Sequence, residues 1–153
     1  MSVSFDGITP SNLPTNTRAV FDANYIVTKA LPASAGTVNS SSIDLGDVVS
    51  GVPYATTETV NLQVIAPALT TTQLPNAATA TYTIQDSADN SSFTAITGLS
   101  TLVQTGAGGA GAATSTRTVK LPPITRRYVR VSCVTATSPG DCSASSLTLQ
   151  LAF

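Results

Sequence analysis

The run SLTLQLA, residues 146–152, sets Leu147, Leu149 and Leu151 on one side of an extended chain and Thr148 and Gln150 on the other. A period of two belongs to a pleated strand with one buried and one solvated face. The same alternation recurs at Val60, Leu62 and Val64 and at Tyr82 and Ile84, so these residues are expected to build the core. Eight strand-like runs can be traced, at about 25–31, 38–45, 58–66, 79–86, 92–103 with a break near Gly98, 116–121, 126–136 and 145–152. No helical period of ten or more residues separates them, which disfavours a parallel α/β sheet. The expected fold is all-β: an antiparallel two-sheet jelly-roll sandwich of about eight strands over residues 25–153. Residues 1–24, broken by Pro10 and Pro14, form an extended N-terminal arm, with one or two helical turns expected over 17–24.

Composition limits the partners. The 153 residues suffice for one domain. Only 10% are charged and Ser and Thr fill the polar positions instead, which predicts a neutral, hydroxyl-rich surface. A net charge of -1 does not provide the bulk attraction that nucleic acid requires, so no nucleic-acid partner is expected. The chain opens without a basic and apolar leader and contains no run of eighteen apolar residues; neither a Sec signal nor a membrane partner is expected.

Residues 102–119, LVQTGAGGAGAATSTRTV, contain Gly106, Gly108 and Gly111 in the spacing G-x-G-x-x-G. A dinucleotide fingerprint needs a helix starting at the third glycine, to hold pyrophosphate, and an acid about twenty positions later for ribose. Here β-branched residues, Pro122 and Pro123 follow, and the next acid after Asp89 is Asp141. The expected structure is a slack, mobile loop between two strands, and no cofactor is expected. The chain lacks His and any G-x-S-x-G elbow, so it is not expected to be an enzyme, and no catalytic residue is assigned. Asp86 and Asp89 do not fit a calcium loop, because Ser91 and Thr97 occupy the positions that need Gly and Glu. A side-chain-built turn is expected there, another at IDLGD around Asp44 and Asp47, and no metal site. The sequons at Asn39 and Asn90 carry little meaning without a secretion route.

Charge is segregated along the chain. Five of the seven basic residues, Arg117, Lys120, Arg126, Arg127 and Arg130, fall within fourteen positions, whereas seven of the eight acids precede residue 90. Strand alternation puts Arg126, Tyr128 and Arg130 on the outer face, opposite Arg127, Val129, Val131 and Cys133. That face is either simply solvated or meets an acidic neighbour, which includes another copy of the chain. Cys133 and Cys142 bracket the turn signal Pro139-Gly140 and are expected near opposite positions of a hairpin; both the paired and the free state stay open.

In order, FDANYIVT, SSIDLGDV, YTIQDSADNSSF and PPITRRYVRV, ahead of the final alternating strand, resemble the small jelly-roll cement proteins of tailed bacteriophages, of the kind found on Bordetella phage capsids. The likeness spans about residues 21–153, and the arm and the cysteine pair depart from it. The resemblance implies a homotrimer on the outer surface of the virion, over positions where major capsid proteins meet, with no active site. On this reading Phe5, Ile8, Leu13 and Arg18 of the arm, together with Arg126, Tyr128 and Arg130, are the candidate contact residues. RRYVRV and the turn DSADNSSF also resemble sugar-binding jelly rolls, which implies a carbohydrate-binding module or a tail-fibre tip. Such sites stack sugars on exposed aromatics, and this chain has no Trp, four Tyr and four Phe.

Overall fold

A computed structural model describes residues 25–45 and 61–152. The arm, with Phe5, Ile8, Leu13 and Arg18, lies outside the described residues, as do Asp47 and Val60. The strands are β1 (Ile26–Ala30), β2 (Gly36–Asn39), β3 (Ile43–Asp44), β4 (Asn61–Ala66), β5 (Thr79–Ser87), β6 (Thr94–Ala95), β7 (Leu102–Thr105), β8 (Ser115–Lys120), β9 (Tyr128–Ala136) and β10 (Ser146–Ala152).

Two of the expected runs are split. β2 and β3 part where the Ser40 hydroxyl accepts the Val131 N–H at 3.0 Å, so a side chain takes a place in the ladder. β6 and β7 part around Gly98, whose φ of +88° reverses the chain.

All pairings are antiparallel. One sheet has the order β1-β10-β4-β8, and the other β2-β9-β5-β6, with β3 also on β9 and β7 also on β5. The pairs nest: Ile26 faces Gln150, Val38 faces Cys133, Leu62 faces Val119 and Gln85 faces Ala95. One long ribbon, with its tip between β5 and β6, has rolled into two layers, which is a jelly roll. Consecutive strands therefore mostly change sheets. β9 and β10 lie in opposite sheets, so the expected hairpin between Cys133 and Cys142 is replaced by a crossing, and both thiols are free and buried.

The alternation does set the core. Leu62, Val64, Tyr82, Val129, Val131, Leu147, Leu149 and Leu151 are each at most 1% exposed, and each such side chain contributes roughly 1.5–3 kcal/mol. Their neighbours along the strands, among them Gln63, Thr81, Arg130 and Gln150, face outward and are only partly buried. At one end of the sandwich the connections 31–35, 67–78, 106–114 and 137–145 interlock through main-chain bonds. These include Leu31 N–H to Ser145 O, Cys142 N–H to Pro32 O, and the reciprocal pair Leu69 and Ala112. The other end carries the turns 88–93 and 121–127, and Tyr25, Leu45 and Asn61 lie there too.

Candidate functional site

The late arginines meet the early acids at this second end. Asp86 continues the inward row of Ala80, Tyr82 and Ile84 one step past the apolar core, and its side chain is 8% accessible. Arg126 covers it: the backbone N–H and Nε each donate to the carboxylate at 2.9 Å, and Nη2 donates to Asp86 Oδ1, to Asp86 O and to Thr94 Oγ1. The carboxylate raises the Arg126 pKa through these hydrogen bonds. Arg127 donates from Nε and Nη2 to the two oxygens of Asp44, each at 2.8 Å, in the planar two-point geometry that guanidinium favours. Its Cζ also lies 5.0 Å from the Tyr128 ring centroid.

Arg130 donates to Gln85 Oε1 at 2.9 Å and stacks 3.9 Å from the centroid of Phe93; partial burial lowers its pKa. Asp89 forms the adjacent turn, accepting the N–H groups of Ser91 and Ser92 at 2.9 Å and the Ser87 hydroxyl at 2.7 Å. The Ser92 N–H, then Ser87 and Ser91, hold its pKa down at about 2. This is the side-chain-built turn expected from the sequence.

The structure therefore brings Arg126, Tyr128 and Arg130 together but gives them work within the chain. Tyr128 and Arg130 do lie on the outer face of β9, opposite Val129 and Val131. Arg126 and Arg127 precede the strand, so Arg127 does not join the core row expected for it. Segregated charge was the sequence signal for these clasps: a nested ribbon joins early and late residues, as in Asp44 with Arg127 and Asp86 with Arg126. Phe93 and Gln104 had no such signal: Phe93 lies in the turn ahead of β6, and Gln104 falls just past the run traced at 92–103.

Gln104, only 4% exposed, joins the sheets near the first end. Its Nε2 donates to Pro67 O at 2.9 Å and Ala113 O at 2.7 Å, and its Oε1 accepts the Tyr82 hydroxyl at 2.8 Å. Beside it a cleft of about 760 Å³ opens along β7, lined by Leu69, Val103, Thr105, Ala107, Ala110 and Ser115 among others.

The glycine stretch forms one wall of this cleft. It forms a hydrogen-bonded tight turn packed on residues 69–75, where composition pointed to a loop without a preferred shape. Ala107 N–H donates to Gly111 O, and Ala112 N–H to Leu69 O, both at 2.8 Å. A Cβ on Gly106 would stand 2.0 Å from Pro75 O, and one on Gly111 would stand 2.1 Å from Leu69 O at a φ of +67°. Close packing against residues 69–75, with no phosphate in the argument, accounts for those two glycines.

The thiols are placed for packing. Cys133 points into the core from β9, and burial pushes its pKa up to about 12. Cys142 donates to Gln73 O at 3.2 Å, and burial raises its pKa also. Among the described residues no three His, Cys, Asp or Glu side chains gather as metal ligands, and no helix is long and apolar enough to cross a membrane. Searches of protein-family models and of curated proteins match no family and no relative to this chain.

Proposed function

We propose that this chain is a structural virion protein, a cement protein that binds the outside of an icosahedral phage head as a homotrimer and stabilises contacts between major capsid proteins. It is not an enzyme on this reading and takes no cofactor. The observation that carries the proposal is the distribution of charge and polarity over the jelly roll. The charged residues of β9 and its approach are engaged by partners in their own chain, and the outer faces otherwise present mostly hydroxyl, amide and apolar groups, with Lys120 exposed at the end of β8. Thr28, Thr148, Ile65 and Thr116 form one outward row, and Gln150, Gln63 and Thr118 form another, linked by side-chain hydrogen bonds. Neutral faces on a rigid scaffold suit close lateral packing on a shell. The jelly-roll fold agrees with the cement-protein resemblance.

The sugar-binding alternative draws less support. Among the described aromatics Tyr82 is buried, and arginines stack on Tyr128 and Phe93, so those rings are not open platforms. Electron microscopy of the source particle tests the proposal. The expected image is a regular array of projections on an icosahedral head, lost when the chain is deleted; a head of unchanged appearance after deletion overturns it. A variant lacking residues 1–24 is expected to keep the circular dichroism of the sandwich and lose head binding, and full occupancy by that variant contradicts a role for the arm.

A further inference from the structure

The four edges of the two sheets are not alike. An exposed strand edge invites pairing with another chain, and proteins commonly blunt it with charge or proline. In the four-stranded sheet the edges are β1 and β8, which carry Lys29, and Arg117 with Lys120. In the six-stranded sheet, β3 carries Asp44 with its Arg127 partner, and Arg126 reaches over Thr94 of β6. Among the described residues, β2, GTVN, and β7, LVQT, are the edge strands that have neither charge nor proline of their own nor, as β6, TA, has, an arginine reaching over them. They stand on opposite sides of the same sheet, and each is four residues long.

Hydrogen-bond phase shows which groups these edges offer. Ser40 N–H donates to Val131 O at 2.9 Å, so Ser40, Val38 and Gly36 bond toward β9, and Thr37 and Asn39 point their N–H and C=O groups away from the sheet. Gly106 N–H donates to Ala78 O at 2.8 Å, so Gln104 and Leu102 bond toward β5, and Val103 and Thr105 point away. Among the described residues no strand pairs with these groups, so each edge offers two outward residues. Across the sheet β2 runs against β9, β9 against β5 and β5 against β7, which makes β2 and β7 antiparallel to each other.

The geometry points to a head-to-tail interface between copies of this chain, in which β7 of one copy pairs with β2 of the next and continues the six-stranded sheet. Rotation about an axis roughly along the strands keeps strand direction, so the new ladder is antiparallel, and a rotation that divides a full turn closes the contact into a ring, the form proposed for this interface. In this register Thr105 stands opposite Thr37 of the second copy, and Val103 opposite Asn39. The outward row Thr37, Val134, Thr81 and Val103 then runs on into the neighbour. The small residues Ala33, Ser34 and Ala35, which lead into β2 and are exposed, fall beside the neighbour's cleft along β7. That cleft adds the apolar contact that a four-residue ladder lacks. Val103, 50% exposed, becomes flanked by Asn39 of the second copy.

This inference supplies the interface for the self-association proposed above, but it rests on the two edges and not on any shell. The test is sedimentation of the full chain beside four variants, Thr37→Pro, Thr37→Lys, Val103→Pro and Val103→Lys, each checked by circular dichroism. The proline variants remove an outward N–H, and the lysine variants keep the decision available should proline unfold the domain. Wild type is expected to sediment as a closed oligomer and each folded variant as a monomer. A mixture of a Thr37 variant with a Val103 variant has one intact edge pair and is expected to stop at a one-to-one dimer. A wild type that stays monomeric, folded variants of wild-type size, or a mixture that never pairs would each overturn the interface. A wild-type oligomer that binds no phage head sinks the shell reading alone, and a monomer that decorates heads sinks the interface alone.

Discussion

Asp86 and Asp89 show how two carboxylates three residues apart acquire different jobs. Asp86 stands where the inward row of β5 leaves the apolar core, so its carboxylate is hydrogen-bonded by the Arg126 clasp in place of water. Replacing Arg126 with Ala leaves that carboxylate with one backbone donor. The Arg126 side chain is 37% accessible and solvent screens the pair, so the expected outcome is a modest fall in the urea midpoint and not the collapse that breaking a fully buried pair brings. Arg126→Lys is expected to recover only part of it, because Nε and Nη2 both act; a full recovery would contradict the two-point geometry. Asp89 acts on its turn instead. Its folded pKa is depressed from 3.8 to about 2, so its contribution is present above about pH 4 and fades as pH falls toward 2. Asp89→Ala is therefore expected to melt below wild type at about pH 6 and to approach it as pH falls to about 2, where the wild-type carboxylate is about half protonated. A gap of equal size at both values would show that the hydrogen bonds to Ser91 and Ser92 do not depend on the charge.

The strands were legible because the period of two is written in each one: Leu147, Leu149 and Leu151 alternate with Thr148 and Gln150, and all three leucines are buried. Their partners were not legible, because alternation assigns a face and says nothing of which strand lies alongside. Pro139-Gly140 reads locally as a hairpin turn, yet the chain crosses there from one sheet to the other. Position, similarly, separated the roles of the glycines. Gly108 meets nothing nearer than 3.5 Å, at the Asn76 side chain, whereas Cβ atoms on Gly106 and Gly111 would collide with backbone carbonyls. Gly108→Ala is expected to change stability by less than about 0.5 kcal/mol, and Gly106→Ala and Gly111→Ala to cost more than about 3 kcal/mol each. Thermal melts of the three variants check the order; equal losses would return the stretch to a loop without fixed shape. Composition could not supply this distinction, because the atoms that crowd Gly106 and Gly111 come from residues 69–75, about thirty to forty-two positions earlier.

As a whole the molecule is one rolled ribbon whose layers are held by the leucine and valine core and, at the end with the interlocked connections, by a buried amide. Gln104 reaches from the six-stranded sheet to Pro67, which follows β4, and to Ala113, which precedes β8. It thereby fastens the side of the sandwich where β7 and β8 are both edge strands. Gln104→Leu keeps a similar shape and adds apolar volume, so a purely hydrophobic account predicts little change. The hydrogen-bond account predicts the opposite: the carbonyls of Pro67 and Ala113 and the Tyr82 hydroxyl lose their partners in a buried setting, at a cost of about 1 kcal/mol or more each. The expected loss is about 3 kcal/mol, which for a domain of this size lowers Tm by roughly 6–12 °C. Gln104→Glu separates shape from bonding further, since it keeps the acceptor for Tyr82 but sets a carboxylate against two carbonyls, and it is expected to be worse than Leu at neutral pH. If both variants melt with wild type, the amide is incidental and the core alone holds the layers. If only Gln104→Leu is tolerated, the site excludes charge but does not depend on its hydrogen bonds.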